Sequence, residues 1–191
     1  MKDDLPIIAF ATSEDWDVWL VDHHEASSGI WLKIAKKDSG IDSVTYAEAL
    51  EVALAYGWID GQKGKFDDAH WLQRFTPRGP RSRWSMINRD KALRLIERDA
   101  MKPAGLREVE RAREDGRWEA AYESPRAATV PDDFQAALDA NDAASEFFAT
   151  LSGANRYAIL YRIADAKRPE TRARRIERYV EMLTEQKTLH P

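Results

Sequence analysis

Between Ile30 and Lys36 the chain alternates, with Ile30, Leu32 and Ile34 on one face and Trp31, Lys33 and Ala35 on the other. A period of two predicts a half-buried strand. The same period returns over 70–76, where Trp71, Gln73 and Phe75 oppose His70, Leu72 and Arg74. Pro77 and Pro80 close that strand, since neither can donate to a ladder. Elsewhere the spacing is helical. Trp16, Trp19, Leu20 and His23 share one side of a segment that Ser13 can cap and that runs to about Glu25. Thr45 and Glu48 form a T-x-x-E capping box for a helix reaching Tyr56, and Gly57 stands where a left-handed residue ends it. Trp58 and Ile59 then read as a short strand, and 61–68 as a loop.

Ser85 can cap a helix to about Arg98, with Met86, Leu93 and Ile96 on or near one face, and Pro103 to Asp115 form another that stops at Gly116. Residues 118–129 read as a connector. Beyond it the pattern is wholly helical, with starts at Pro131, Asn141, Ser152 and Pro169. In the last of these helices Ala173, Ile176, Val180 and Leu183 recur at 3, 4, 3 as an apolar seam directed at neighbouring helices, flanked by Arg172, Arg174, Arg175 and Arg178. The expected fold is α+β: a small, mostly antiparallel sheet covered by helices, followed by an all-helical C-terminal region. The expected division is 1–122 and 123–191.

Composition narrows the chemistry. The chain has 191 residues, 43% of them apolar, seven tryptophans and no cysteine. Disulfides, thiolate metal sites and cysteine catalysis are excluded. The absence of cysteine also fits a cytosolic home. No apolar run is long enough to span a membrane, and the start, MKDDLP, lacks the basic-then-apolar pattern of a secretory signal. Net charge is −4, yet Gln73–Arg94 holds seven Lys/Arg against one Asp, and Arg162–Arg178 seven against three Asp/Glu. Such basic segments either meet an anion or pair with the acidic remainder.

Candidate chemistry centres on "YGWIDGQ", 56–62. If Asp60 faces Arg74 across neighbouring strands, it is a hydrogen-bond acceptor rather than a general acid, because a guanidinium favours the ionised carboxylate. Trp58, Asp60, Gln62, Arg74, Trp84 and Asn88 then build a polar pocket for a small ligand, or Asp60 and Arg74 form a closed structural pair. Arg78, Arg81 and Arg83, interleaved with aromatic residues in "RFTPRGPRSRW", are a candidate patch for an anionic ligand. Nucleic acid is disfavoured by a pI of about 5.7. His23 and His24 are adjacent and diverge by about 100° on a helix, so they cannot share a metal. His70 stands alone, and His190 lies in a tail expected to fray. Ser85 lacks a nucleophile elbow, and "GQKGK" lacks the phosphate-loop spacing. No metal or cofactor is expected.

The stretches "SGIWLKIAKK" (28–37), "YGWIDGQ" (56–62), "QRFTPR" (73–78), "RWSMIN" (83–88), "DGRW" (115–118), "VPDDFQAALDAN" (130–141) and "AKRPETRARRIERYVEML" (166–183) occur in order. Together they resemble the YdeI/OmpD-associated family, also labelled bacteriocin-protection proteins. The resemblance implies a role in tolerating bacteriocins or antimicrobial peptides, names no reaction and carries over no catalytic residue. The family's description implies the periplasm, whereas the sequence points to the cytoplasm. The leading expectation is a non-catalytic cytosolic protein acting by binding a small polar ligand or a protein partner. The alternatives are a small-molecule enzyme or sensor built around Asp60 and Arg74, and a nucleic-acid or anionic-surface binder. The oligomeric state stays open.

Overall fold

The computed structural model describes residues 5–123 and 128–191. The first four residues and the 124–127 part of the expected connector lie outside the described residues. In chain order the elements are β1 (Ile7–Ala9), α1 (Ser13–His23), β2 (Ile30–Ala35), α2 (Tyr46–Ala55), β3 (Trp58–Lys65), β4 (His70–Pro77), α3 (Met86–Glu97) and α4 (Pro103–Glu114). They are followed by α5 (Asp132–Asp139), α6 (Asp142–Thr150), α7 (Gly153–Ala164) and α8 (Pro169–Thr184). The chain divides into two compact units, Met1–Ala121 and Tyr122–Pro191. The class is α+β with a helical C-terminal region, as the periodicities predict.

In the first unit the sheet order is β1-β2-β4-β3. Only the β1–β2 pairing is parallel. Ile30, Leu32, Ile34 and Phe75 share the face covered by helices, where Trp16 and Leu20 of α1 and Leu50, Ala53 and Leu54 of α2 complete the core. The far face carries Trp31 opposite Arg74, and Trp31 is 9% exposed, so β2 is buried more fully than plain alternation predicts. Trp16 contacts Trp19, Trp58 and Phe75 at ring separations of 5.3, 6.0 and 5.9 Å. Trp16 Nε1 donates to Ala49 O and Trp58 Nε1 to His24 O, so both indoles are buried with their donors satisfied.

Three local signals resolve differently from the sequence reading. Thr12, one residue before Ser13, caps α1, because its hydroxyl and the Asp15 carboxylate form the reciprocal box that Ser13 cannot make. The buried face of α3 is Asn88, Ala92 and Leu95, one step round from Met86, Leu93 and Ile96. Residues 61–65, read as loop, continue β3. An extra residue between Asp60 and Lys63 shifts the register and breaks the period of two that would have revealed the strand. Gln73, fully buried, repairs the irregularity: its Nε2 donates to Gly61 O at 2.9 Å and Gln62 O at 3.3 Å, carbonyls displaced from the ladder.

Gly57 has φ +73° and ends α2 as expected. A second glycine contact was not legible from local pattern. Gly105 lets α4 lie against the end of α2, where an added Cβ would stand 2.3 Å from Ala55 O.

The second unit packs α5 to α8 around Phe134, Leu138, Phe148, Ile159, Ile163 and Leu183. Arg172 ties three helices, donating to both Asp133 carboxylate oxygens (2.6 and 2.8 Å) and to Ile163 O (3.1 Å). The tail expected to fray is held: Asn155, 7% exposed, accepts from Leu189 N and His190 N and donates to His190 O. The predicted seam of α8 is displaced as well. Tyr179 and Leu183 are buried, whereas Ile176 and Val180 are half-buried and Ala173 is exposed.

Candidate binding site

The strand register decides the relation of Asp60 to Arg74. Asp60 pairs with Phe75, and cross-strand partners point to the same face, so Asp60 lies on the helix-covered side. Arg74 follows Trp31 to the far face. The expected pairing is therefore overturned: neighbouring positions on a strand diverge, and the register is offset by one from the one it required. Asp60 instead accepts from the Tyr46 hydroxyl of α2 at 2.8 Å. The extra residue in β3 brings Lys63 onto this same face, where its ammonium lies 5.4 Å from the Tyr46 ring and 5.1 Å from the Trp71 ring. Gln62 is exposed on the bulge, and Trp58 is sealed in the core.

Trp84 and Asn88 belong to a different neighbourhood. Arg78 is only 5% exposed, and its guanidinium lies 3.6 Å from the centre of the Trp84 ring while Nη1 donates to Arg83 O. Trp118 meets the other side of the neighbourhood, 4.9 Å from Trp84 and edge-on. Asn88 is buried one turn into α3, its N–H capped by Ser85 Oγ at 3.1 Å. Two further arginines reach the same loop: Arg111 Nη2 donates to Gly79 O and Arg117 Nη1 to Ser82 O. Three guanidiniums from β4's end, α4 and the segment after α4 thus hold the carbonyls of 79–83. Of the predicted patch, Arg81 is exposed, Arg83 half-buried and Arg78 a structural clamp, so the three do not present a common charged surface. Burial pushes the Glu108 carboxyl above its ordinary range, against the pull of Arg111, Arg78, Arg117 and Arg107 around it.

The rings of His23 and His24 are engaged by carbonyls of α1. His23 Nδ1 donates to Trp19 O and His24 Nδ1 to Leu20 O, and the His23 ring stacks on Trp19 at 4.4 Å.

A cavity of about 370 Å³ opens elsewhere in this unit, between α1, α2, α3 and the 99–102 turn. Its floor is apolar, from Val52, Ala55 and Leu95. The walls are charged and segregated by element. Asp17, Glu48 and Glu51 come from α1 and α2, and Lys91, Arg98 and Lys102 from α3 and the turn beyond it. Glu51 and Arg98 join the walls by an ion pair. At one end Tyr56 Oη donates to Asp17 Oδ1 at 3.0 Å, with Lys102 Nζ 5.7 Å from the Tyr56 ring. Burial, reinforced by Asp17, pushes the Tyr56 phenol up to about 12, so it remains a donor. Glu48 is committed to the Thr45 cap, whose N–H holds its carboxylate below the ordinary range. Asp17, Lys91 and Lys102 are left as the groups best able to meet a ligand. The sequence holds a trace of this cavity: Glu48, Glu51, Val52 and Ala55 share one helical face, and so do Lys91, Leu95 and Arg98. Nothing in the sequence shows that the two faces meet.

Residues 8–108 match the family model described as a domain of unknown function (DUF8412), just over half of the chain. The chain belongs to this family. Its matched segment contains α1 to α3 and the 99–102 turn, and hence every residue that lines the cavity. Residues 127–186 match the model described as Bacteriocin-protection, YdeI or OmpD-Associated, and so bear out the resemblance carried by the C-terminal stretches. The motifs from 28 to 88 fall instead within the DUF8412 match. No curated protein and no solved structure matches the chain. No helix among the described residues is long and apolar enough to cross a membrane.

Proposed function

We propose that this protein acts by binding, and that its ligand is a small amphoteric molecule held in the cavity between α1, α2 and α3. The observation that carries the reading is the segregation of charge across an apolar floor, with Asp17 on one wall and Lys91 and Lys102 on the other. Such walls orient a molecule bearing both an amine and a carboxylate or other anion, and the floor contributes by excluding water. The volume, about 370 Å³, suits an amino-acid-sized or somewhat larger guest. The match of 127–186 to the bacteriocin-protection model supports placing this binding in tolerance of bacteriocin or antimicrobial-peptide stress. A cytoplasmic setting belongs to the same proposal, since a chain without cysteine draws no stability from an oxidising compartment.

The test is a thermal-shift and calorimetric screen comparing zwitterions with their amine-only and acid-only analogues. Zwitterions are expected to bind at least about tenfold more tightly. Asp17→Asn should weaken recognition of the amine and Lys91→Met that of the anion, each with the fold intact by circular dichroism. Equal binding of all three classes, or none, refutes the reading. So does substrate turnover by the purified chain that Asp17→Asn abolishes.

A further inference from the structure

Most of the charged groups on the walls of the α1–α2–α3 cavity are already engaged by the protein. Glu48 accepts from the Thr45 N–H and hydroxyl. Glu51 is paired with Arg98. Asp17 accepts from Tyr56 Oη through Oδ1, which leaves Oδ2. Lys91 and Lys102 also line the cavity. Among the described residues neither ammonium forms an ion pair or a hydrogen bond; Lys102 Nζ lies 5.7 Å from the centre of the Tyr56 ring. The groups left for a guest are therefore two ammoniums and one carboxylate oxygen.

These groups are spread along the cavity. Asp17 and Lys102 lie at one end, since the Tyr56 hydroxyl holds the first and the Tyr56 ring neighbours the second. The backbone fixes that end, because Lys102 N–H donates at 3.1 Å to the carbonyl of Ala55, the last residue of α2. Lys91 stands apart. It precedes Arg98 by two turns of α3, about 10 Å along the helix axis. Between the two lysines lie the Glu51–Arg98 pair and the apolar floor of Val52 and Leu95. An amine bound at Asp17 thus has one cation beside it and a second at a distance. A guest with a single carboxylate meets one of the lysines and forgoes the other.

Resting on the binding function proposed above, we infer that the guest is an acidic amino acid, with a second carboxylate at the far end of its side chain. Its ammonium meets Asp17, its α-carboxylate Lys102 and its distal carboxylate Lys91. The single negative charge of such a guest complements the single positive charge of the three groups that receive it. The methylenes between its two ends lie on the apolar floor. Each carboxylate is met by a lysine, a point charge on a flexible stem, so charge defines the class more strictly than chain length does.

Isothermal titration calorimetry on the full chain tests this with L-glutamate and L-2-aminoadipate, circular dichroism confirming that every variant is folded. Each acid is compared with two analogues that lack one carboxylate. The first is its side-chain amide. The second is the ω-amino acid left when the α-carboxylate is removed, 4-aminobutyrate or 5-aminopentanoate. The acids are expected to bind at least about tenfold more tightly than either analogue. Lys102→Met should bring the acid down to the level of the ω-amino acid and leave that analogue within about threefold of its wild-type affinity. Lys91→Met should bring the acid down to the level of the amide and leave the amide within about threefold. Analogues that bind as tightly as the acids overturn this assignment and leave the amphoteric reading standing. A lysine variant that weakens all three ligands alike overturns it as well, because the side chain then acts on the cavity as a whole and not on one carboxylate. Silence from these ligands while other zwitterions bind removes this assignment alone; silence from every zwitterion removes both.

Discussion

Replacing Gly105 by alanine sets two physical effects against each other. On helix propensity alone the change stabilises α4 by about 1 kcal/mol. Packing opposes it. The new Cβ would stand 2.3 Å from Ala55 O and 2.4 Å from Met101 S, where ordinary contact needs about 3.5 Å. Met101 has a flexible side chain and can move aside. Ala55 O is backbone, and it accepts the Lys102 N–H at 3.1 Å, so drawing α4 away from α2 also strains that bond. Overpacking costs about 1–3 kcal/mol, and a lost hydrogen bond about 1 kcal/mol. Against the propensity gain, the net expectation is a loss of about 2 kcal/mol. For a unit of this size that lowers the midpoint by about 8 °C. All seven tryptophans lie between Trp16 and Trp118, so their fluorescence follows the unfolding of the first unit alone. Gly153→Ala, at a site with open space around it, serves as the control and should leave that signal unmoved. A Gly105→Ala midpoint equal to or above wild type would refute the argument that backbone proximity outweighs propensity here.

Other outcomes follow from the same contacts. Gly57→Ala forces a residue with a Cβ to φ +73° and places that atom 2.8 Å from Glu108 Cγ, so a loss of about 2 kcal/mol is expected by chemical denaturation. Thr45→Ala removes a reciprocal cap and should cost about 1 kcal/mol in the same assay. Arg78→Lys keeps the charge but loses the planar stack on Trp84 and the hold on Arg83 O; faster tryptic cleavage at Arg81 should report the loosened loop. In the second unit the hydrogen bonds from Arg172 hold the Asp133 carboxyl below its ordinary value. The stabilisation from this depressed pKa is therefore present above an unfolded value of about 3.9 and is lost as pH falls through the folded one. The stability gap between wild type and Asp133→Asn should be constant from about pH 7 to 5 and close in stronger acid; a gap unchanged in strong acid contradicts the assignment.

The fold was largely legible because its signals are local. Capping at Thr45, Ser85, Asn141 and Ser152, the helix stops at Gly57 and Gly116, and the alternation of β2 and β4 each act within a few residues. The site was legible only in part, because it depends on which faces meet. The parity of β3 turns on one extra residue near Gly61 and Gln62, and its stabiliser, Gln73, sits twelve positions away from Gly61. Asp60 accepts from Tyr46, and the register turns Arg74 to the other face. The basic segment after β4 was visible as a charge excess. That Arg78 is buried and that Arg111 and Arg117 converge on the same loop are tertiary facts with no local trace. The cavity between α1, α2 and α3 left only two helical faces of opposite charge, carried by separate segments.

The irregular β3 has one more consequence, for the company this chain keeps. It is one of the two outer strands of the sheet, a place where a second chain could add hydrogen bond by hydrogen bond. A flat, apolar margin would seed such growth. Here the margin is bent at residues 61–62 and studded with Lys63 and Lys65. An approaching strand finds neither continuous spacing nor an uncharged surface there, so this margin resists strand addition.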